Sequence, residues 1–414
     1  MKTIYEGVVM IWNCVIVGAG ASGLYAASHL ALDHVLILEK KKKPALKLSV
    51  SGGGQCNLTH GGYVSAFLNH YGNHKAFVKT ALKAHDNQKV MAYFESLGVK
   101  LVTRDDGKVF PKSLQSREII NALVSQITKE MAHDIRYDEA VCQIVIKENI
   151  YEITTEKETY LTKRVIIATG GKSYPMLGSE GDGYRFAETL GLKVTPQFPG
   201  LTGAVCKNWT MQELQGMSFS MVNCQHQASG KEYKDDLLIT HFGLSGPVII
   251  NNSRDFRNGD SLVINFIGIS KAELTEMFLV MTRESGHLPI RYFFNQLNLP
   301  ERFKHWVYDT YKIDHHQRLG ETSKKLRTAL INILTQYCVK IDKLQGYEQA
   351  MVTVGGVALD EIDGKRLCSK QYSELYFIGE VLDVDGDTGG YNLQWAFSSA
   401  HAAVSAIKKS SNRE

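Results

Sequence analysis

Hydrophobic and polar positions along this chain keep two rhythms, and the change from one to the other marks out its elements. Residues 11–17 form a short β-branched and apolar run that stops at a glycine cluster, as expected of a strand buried in a parallel sheet. Residues 22–32 then place small and apolar side chains at helical spacing, and 34–38 is a second apolar run ending in Glu39. Strand, glycine turn, helix and strand make a βαβ unit, the opening of a doubly wound domain. Farther on, 75–97 reads as one amphipathic helix closed by Gly98, 99–110 as a hairpin around Asp105-Asp106-Gly107, and 117–132 as a helix. Alternating runs at 140–146, 150–155 and 160–168 predict a β-meander that returns to the main sheet and ends in Thr169-Gly170-Gly171.

The pattern shifts after Gly191. Residues 193–268 are strand-rich with frequent turns, about 270–345 look helical, and 350–357 return to strand character. The tail reads as a strand at 375–378, a glycine-rich loop and an apolar helix from Leu393 onward. The expected fold is therefore α/β: a Rossmann-like dinucleotide-binding domain made of both termini, with an inserted β-rich domain and a helical domain. Its parts are 1–192, the insertion at 193–268, the helical stretch at 269–345, and the return through 346–414. Residues 1–10 read as a leader that the fold does not need.

Composition narrows the class. A chain of 414 residues exceeds one simple core, and 44% hydrophobic with 22% charged residues fits a soluble globular enzyme. The net charge of +4 is diffuse apart from Lys40-Lys41-Lys42-Lys43, which reads as a solvated loop after a strand, so no nucleic-acid partner is expected. Seven cysteines without a C-x-x-C pair argue for free thiols in a reducing cytoplasm, and no stretch is apolar enough to span a membrane.

The chemistry begins at Gly18-Ala19-Gly20-Ala21-Ser22-Gly23. A G-x-G-x-x-G gains specificity here because a strand precedes it, a helix follows, and an acid stands about twenty residues on. Gly18 permits the tight turn, Gly20 lets the backbone approach a pyrophosphate, and Gly23 allows close helix–strand packing. The helix start offers unpaired N–H groups to phosphates. Glu39, with Lys40 beside it, is placed for the ribose hydroxyls and disfavours a 2′-phosphate. The preference for FAD comes from the far end of the chain. Thr169-Gly170-Gly171 closes the sheet, and Gly379-Glu380 starts a second glycine–acid site. Glu380 or Asp383 is placed for ribityl hydroxyls, and amides near Asn392 and Leu393 for the pyrimidine edge of a flavin held without a covalent bond.

These blocks resemble a known family. Together with Lys47, Ser51-Gly52-Gly53-Gly54-Gln55-Cys56-Asn57, Gly107–Pro111, Ala168–Pro175, Thr240–Pro247, Val352–Val357 and Gly389-Gly390-Tyr391-Asn392-Leu393-Gln394-Trp395-Ala396, they are similar to the BaiN-type NAD(P)/FAD-dependent oxidoreductases of bacteria. That family also includes aminoacetone oxidases. The resemblance covers nearly the whole chain. It implies an FAD domain, an inserted β-rich domain and a helical domain. It also implies that Lys47 and Ser51–Asn57 lie along the cofactor and that the backbone at Val141 meets the adenine. Gln55 stands where the family generally has arginine, and Pro44-Ala45 replaces a glycine–basic pair.

The expected activity is an FAD-dependent oxidoreduction of a small organic substrate with NAD(P)H as transient donor, since no second G-x-G-x-x-G provides a nicotinamide domain. An aminoacetone-like amine oxidase releasing peroxide is the alternative, and a flavin-dependent RNA-modifying enzyme a third reading. His241, in Thr240-His241, is a weak candidate proton donor or else ties down a turn. Cys56 reads as a flavin-side thiol or, for want of a neighbouring cysteine, a packing residue. His305, His315 and His316 lack metal-ligand spacing, so no metal is expected.

Overall fold

The computed structural model describes residues 4–5 and 8–411, with side chains from Met10 onward. The expectation for the leader, residues 1–10, falls in part on residues outside that description. The chain divides into two compact units, Met1–Gly200 with Tyr347–Glu414, and Leu201–Gly346.

The first unit is built on a five-stranded parallel sheet in the order Leu375–Phe377, Val165–Ile167, Cys14–Val17, Val35–Leu38, Asp134–Arg136. The two strands flanking the glycine turn are buried at every residue, which is why their sequences are apolar without alternation. Helix Ala21–His29 packs against the long C-terminal helix Tyr391–Ser411. The run at 11–17 does not stay in one sheet. Ile11–Trp12 pairs in parallel with Leu161–Thr162 at the edge of an antiparallel sheet, and only Cys14–Val17 enters the central one. The run at 160–168 switches at the same level. Thr159–Thr162 belongs to the meander sheet and Val165–Ile167 to the central sheet. The Lys163 N–H and the Thr162 hydroxyl both donate to Trp12 O, and Val15 N–H donates to Arg164 O, so the two crossovers are stitched together.

The expected single helix over 75–97 is two, Lys75–Ala84 and Asn87–Ser96. Asp86 ends the continuity by accepting the Lys89 N–H at 3.0 Å, an N-cap that contributes about 1 kcal/mol to the second helix. The break is also held from outside, because the His85 carbonyl accepts from Gln394 Nε2 and Ser398 Oγ. The hairpin at 99–110 forms as expected, Leu101–Thr103 against Lys108–Pro111, and Thr59–His60 adds a third strand.

In the second unit six antiparallel strands close a barrel: Ala204–Cys206, Gly243–Ser245, Glu232–Ile239, Ser218–His226, Ser261–Asn265 and Tyr337–Leu344. Helices fill the stretch from Lys271 to Thr335, the first opened by a Ser270–Glu273 capping box. The helical expectation fails at the end of that stretch. Tyr337–Leu344 is a strand with Val339 and Ile341 facing inward at period two, and it joins both neighbours to close the barrel. Barrel and helices share one apolar core, in which Phe219, Phe266 and Phe303 meet.

Candidate functional site

Three adjacent strands of the central sheet end side by side at the same edge. Cys14–Val17 runs into Gly18, Val165–Ile167 into Ala168–Gly171, and Leu375–Phe377 into Ile378–Glu380. In an open α/β sheet this carboxyl edge is where ligands bind. The glycines there do different jobs. A Cβ on Gly18, whose φ is +103°, would stand 2.7 Å from Ala168 O, and one on Gly23 would stand 2.0 Å from Gly18 O. Both glycines are therefore demanded by the protein itself. Gly20 is not, because a Cβ there would meet only Ala168 O, at 3.9 Å. Its freedom leaves a cradle beside the start of helix Ala21–His29, open to a group that must approach the backbone closely.

Glu39 lies at the end of the next strand. Its carboxylate accepts the Ala19 N–H and the Lys41 N–H, each at 2.9 Å, and so ties the end of this strand to the glycine turn. Burial pushes its carboxyl up, against the pull of those two N–H groups and of Lys40 and Lys41. Lys40 is not a freely solvated member of its run, since it pairs with Asp182 at 2.6 Å and Glu180 at 3.0 Å. Lys41 reaches Glu180 at 3.5 Å.

The downstream glycine–acid pair converges on this edge. Gly379, with φ +74°, packs so closely on Ser22 that a Cβ would stand 2.7 Å from its Oγ. Glu380 accepts the Lys47 ammonium at 2.7 Å on one oxygen and the Thr353 N–H at 2.8 Å on the other. Thr353, which the sequence reading did not single out, is buried and its hydroxyl also accepts the Lys172 N–H at 2.7 Å. Gly171 has no room for a Cβ against that hydroxyl, 2.4 Å away. Asp383 is turned to Thr195, whose hydroxyl it accepts at 3.0 Å.

A second convergence joins residues 57–60 to the start of the last helix. With its amide oriented to satisfy both ends, Asn57 accepts the Gly390 N–H and donates to Thr59 O, each at 3.0 Å. The Asn392 side chain holds the loop before it, accepting the Gly386 N–H at 2.8 Å and donating to Gly386 O at 2.9 Å. The Tyr391 ring is sandwiched between His70, 3.9 Å away, and His60, 5.4 Å away. Gly389 and Gly390 both take positive φ, +117° and +99°, and Leu393 is half-buried one turn into the helix. Ser51–Gly54 forms a turn in which Gly52, Gly53 and Gly54 are all left-handed. Cys56 is buried and burial pushes its thiol up to about 12, a packing residue's environment.

Val141 is buried at the start of its strand, beside a bulge. Thr169 lies against Gly183, where a Cβ would stand 2.3 Å from its hydroxyl. His241 belongs to the second unit, exposed, with its ring against Phe242. His315 and His316 adjoin each other, but among the described residues no cluster of three or more potential ligands is placed to hold a metal ion. All seven cysteines are free thiols, and among the described residues no helix is long and apolar enough to cross a membrane.

Comparison with known proteins agrees with this architecture. Residues 12–406 match the family model described as HI0933-like protein Rossmann domain. The chain is 32% identical over 411 residues to a ribosomal RNA dihydrouridine synthase of Escherichia coli (strain K12), covering 95% of this chain and 97% of that one. It is 26% identical over 404 residues to a 3-dehydro-bile acid delta(4,6)-reductase of Clostridium scindens, covering 94% and 97%. Among solved structures, the open conformation of a flavocytochrome c3 fumarate reductase superposes with a TM-score of 0.51 at 16% identity, covering 97% of this chain and 79% of that one, a likeness of fold. The chain belongs to the HI0933-like family, and its fold is Rossmann-like, as the family description says and the fumarate reductase superposition bears out.

Proposed function

We propose that this protein is an NAD(P)H-driven, FAD-dependent reductase that saturates a carbon–carbon double bond conjugated to a carbonyl, with a uridine of ribosomal RNA as its first substrate to test. The observation that carries the reading is the open cradle at Gly20 beside Glu39, reached by Gly379–Glu380 at the same sheet edge. Two relatives that match almost end to end support this choice of reaction class. Dihydrouridine is uridine saturated at C5–C6, and the bile-acid reductase by its name saturates a dienone. Both are additions of hydride and proton to an activated double bond. The E. coli likeness, at 32% identity, leaves a nucleic-acid substrate open, against the expectation from diffuse charge that none is involved. The BaiN-type resemblance is consistent with the same chemistry.

FAD, when bound, supplies the hydride chemistry. The residues proposed to hold it are Gly18–Gly23 for the pyrophosphate, Glu39 with Lys40 at the ribose side, and the Val141 backbone at the adenine. Lys47 and Glu380 would serve the ribityl side, together with Thr169–Gly171 and Gly379. Ser51–Gly54, Asn57, Gly389, Gly390, Asn392 and Leu393 would line the ring, with Cys56 packed behind them rather than facing it. In that arrangement Glu380, held by the Lys47 ammonium and the Thr353 N–H, would offer its remaining lone pairs as positioned acceptors. Asp383, bonded to Thr195, would act by holding the loop. Helix Tyr391–Ser411 presents its positive end at the Gly389–Gly390 turn, which would favour negative charge on a reduced ring.

The test is direct. Purified protein should be yellow, and anaerobic mixing with NADH or NADPH should bleach it faster than mixing with aminoacetone. The reduced enzyme should then convert uridine in ribosomal RNA from a strain lacking the protein to dihydrouridine, read by mass spectrometry of nucleosides. Bleaching by the amine, with peroxide on admitting air, would support the oxidase instead. A protein that neither contains nor takes up FAD would end the proposal.

A further inference from the structure

Arg104 sits in the turn of the hairpin formed by Leu101–Thr103 and Lys108–Pro111. It is exposed, yet held on two sides. Its guanidinium lies 3.9 Å from the centre of the Phe110 ring, and Nη2 donates to Gln55 Oε1 at 2.6 Å. The Phe110 ring is itself buried, and it also underlies Gly52, so the same ring supports the arginine and the glycine turn. The acid of the hairpin, Asp106, is taken by Lys108 at 2.7 Å; Arg104 acts on it only from beyond ion-pair distance. Among the described residues Arg104 has no ion-pair partner, and its anchor Gln55 is neutral.

An exposed arginine ordinarily spends its freedom in solvent, and ordering it on binding costs rotamer entropy. Here the stacking and the amide bond have already fixed the fork, with most of its N–H donors unspent. Beside it Gly52 and Gly53 are exposed at φ +56° and +67°, and a Cβ on Gly53 would meet nothing within 4 Å. A rigid cation next to bare, open backbone matches a tetrahedral oxyanion, which takes two N–H groups of a guanidinium at once.

We propose that Arg104 is a specificity-determining residue that receives a phosphate group of the reaction partner, at the mouth formed by the hairpin and the Ser51–Gln55 turn. The proposal rests on the reductase reading for the two sources of that phosphate, a nicotinamide dinucleotide or a polynucleotide. Both carry the same chemistry, and the experiment separates them. Arg104→Gln and Arg104→Lys are compared with wild type as FAD-loaded enzymes. One arm takes the dissociation constants of NADH and NADPH from the concentration dependence of anaerobic bleaching. The other takes the affinity of a short single-stranded RNA by fluorescence anisotropy over a range of salt.

Losing one charge-assisted contact should weaken binding by about tenfold in Arg104→Gln, and less in Arg104→Lys, which keeps the charge without the fork. Weakening of both dinucleotides equally assigns the pyrophosphate, and weakening of NADPH alone assigns the 2′-phosphate. Weakening of RNA, with its log–log salt slope reduced by about 0.7, assigns an RNA phosphate. Unchanged affinity for all three overturns the proposal. So does loss of FAD with those affinities intact, since Arg104 would then serve the cofactor. A wild type that no nicotinamide bleaches refutes the reductase reading, and the RNA arm still decides Arg104.

Discussion

Alanine at Gly20 and alanine at Gly23 separate what the fold needs from what the cofactor needs. A Cβ on Gly23 would lie 2.0 Å from Gly18 O and 3.2 Å from the Ala168 Cβ, and the nearer obstacle is backbone. Helix Ala21–His29 would have to move off the sheet, at the cost of overpacking, about 1–3 kcal/mol. Gly20 has φ −79° and ψ −169°, which any residue adopts, and its nearest obstacle is 3.9 Å away. There alanine gains about 0.4–1 kcal/mol from a less flexible unfolded chain. It loses a similar amount as a poorer N-cap, about 0.5–1 kcal/mol. The two nearly cancel, so cofactor-free Gly20→Ala should unfold within about 1 kcal/mol of wild type. If the pyrophosphate lies at Gly20 as proposed, the FAD affinity, measured by flavin fluorescence quenching, should nevertheless fall at least about tenfold, because the new methyl would take the space it needs. Gly23→Ala should lose stability and FAD together. If Gly20→Ala binds FAD as wild type does, no phosphate approaches that residue and the site has been misplaced.

Two other outcomes follow from buried titrating groups. His29 and His85 are held neutral, lowered to about 4 and about 3 chiefly by burial, and stacked His401 is lowered with them. The unfolded chain takes up these protons first, so stability should be full above the ordinary histidine range. It should decline as pH falls through about 6.5, by up to about 1.4 kcal/mol per pH unit for each group. Urea midpoints at pH 7, 6 and 5 check this, and a flat profile refutes it; His85→Gln should shallow the slope. Cys56, pushed up to about 12, should resist iodoacetamide at pH 8 in the native protein while exposed Cys142 and Cys338 are alkylated. Peptide mass spectrometry reads the difference, and labelling of Cys56 at the rate of the exposed thiols would restore it as a reactive group.

The legible parts of this molecule are those in which one residue meets a backbone constraint. Strands buried on both faces leave runs without alternation, and Gly18 and Gly23 have no room for side chains, so the opening βαβ unit could be read from the chain alone. Periodicity says nothing about which strand a run pairs with. Residues 11–17 and 160–168 therefore looked like single strands, though each serves two sheets through Trp12, Thr162 and Arg164. The break at Asp86 carried a local signal, an acid at a cap position, but apolar spacing runs through it. What fixes it arrives from Gln394 and Ser398 at the far end of the chain. Tyr337–Leu344 follows four helices and exposes alternate residues, so only the period-two pair Val339 and Ile341 betrayed the strand. The site divides along the same line. Its glycines were visible because steric demand is local. Lys47–Glu380 joins residues 333 positions apart, and the buried Thr353 hydroxyl is set by Lys172 and Gly171 from across the unit. Such pairs have no periodicity of their own. Arg104 belongs with them: a lone arginine in a polar turn looks like any solvated charge until Phe110 and Gln55 are seen to hold it.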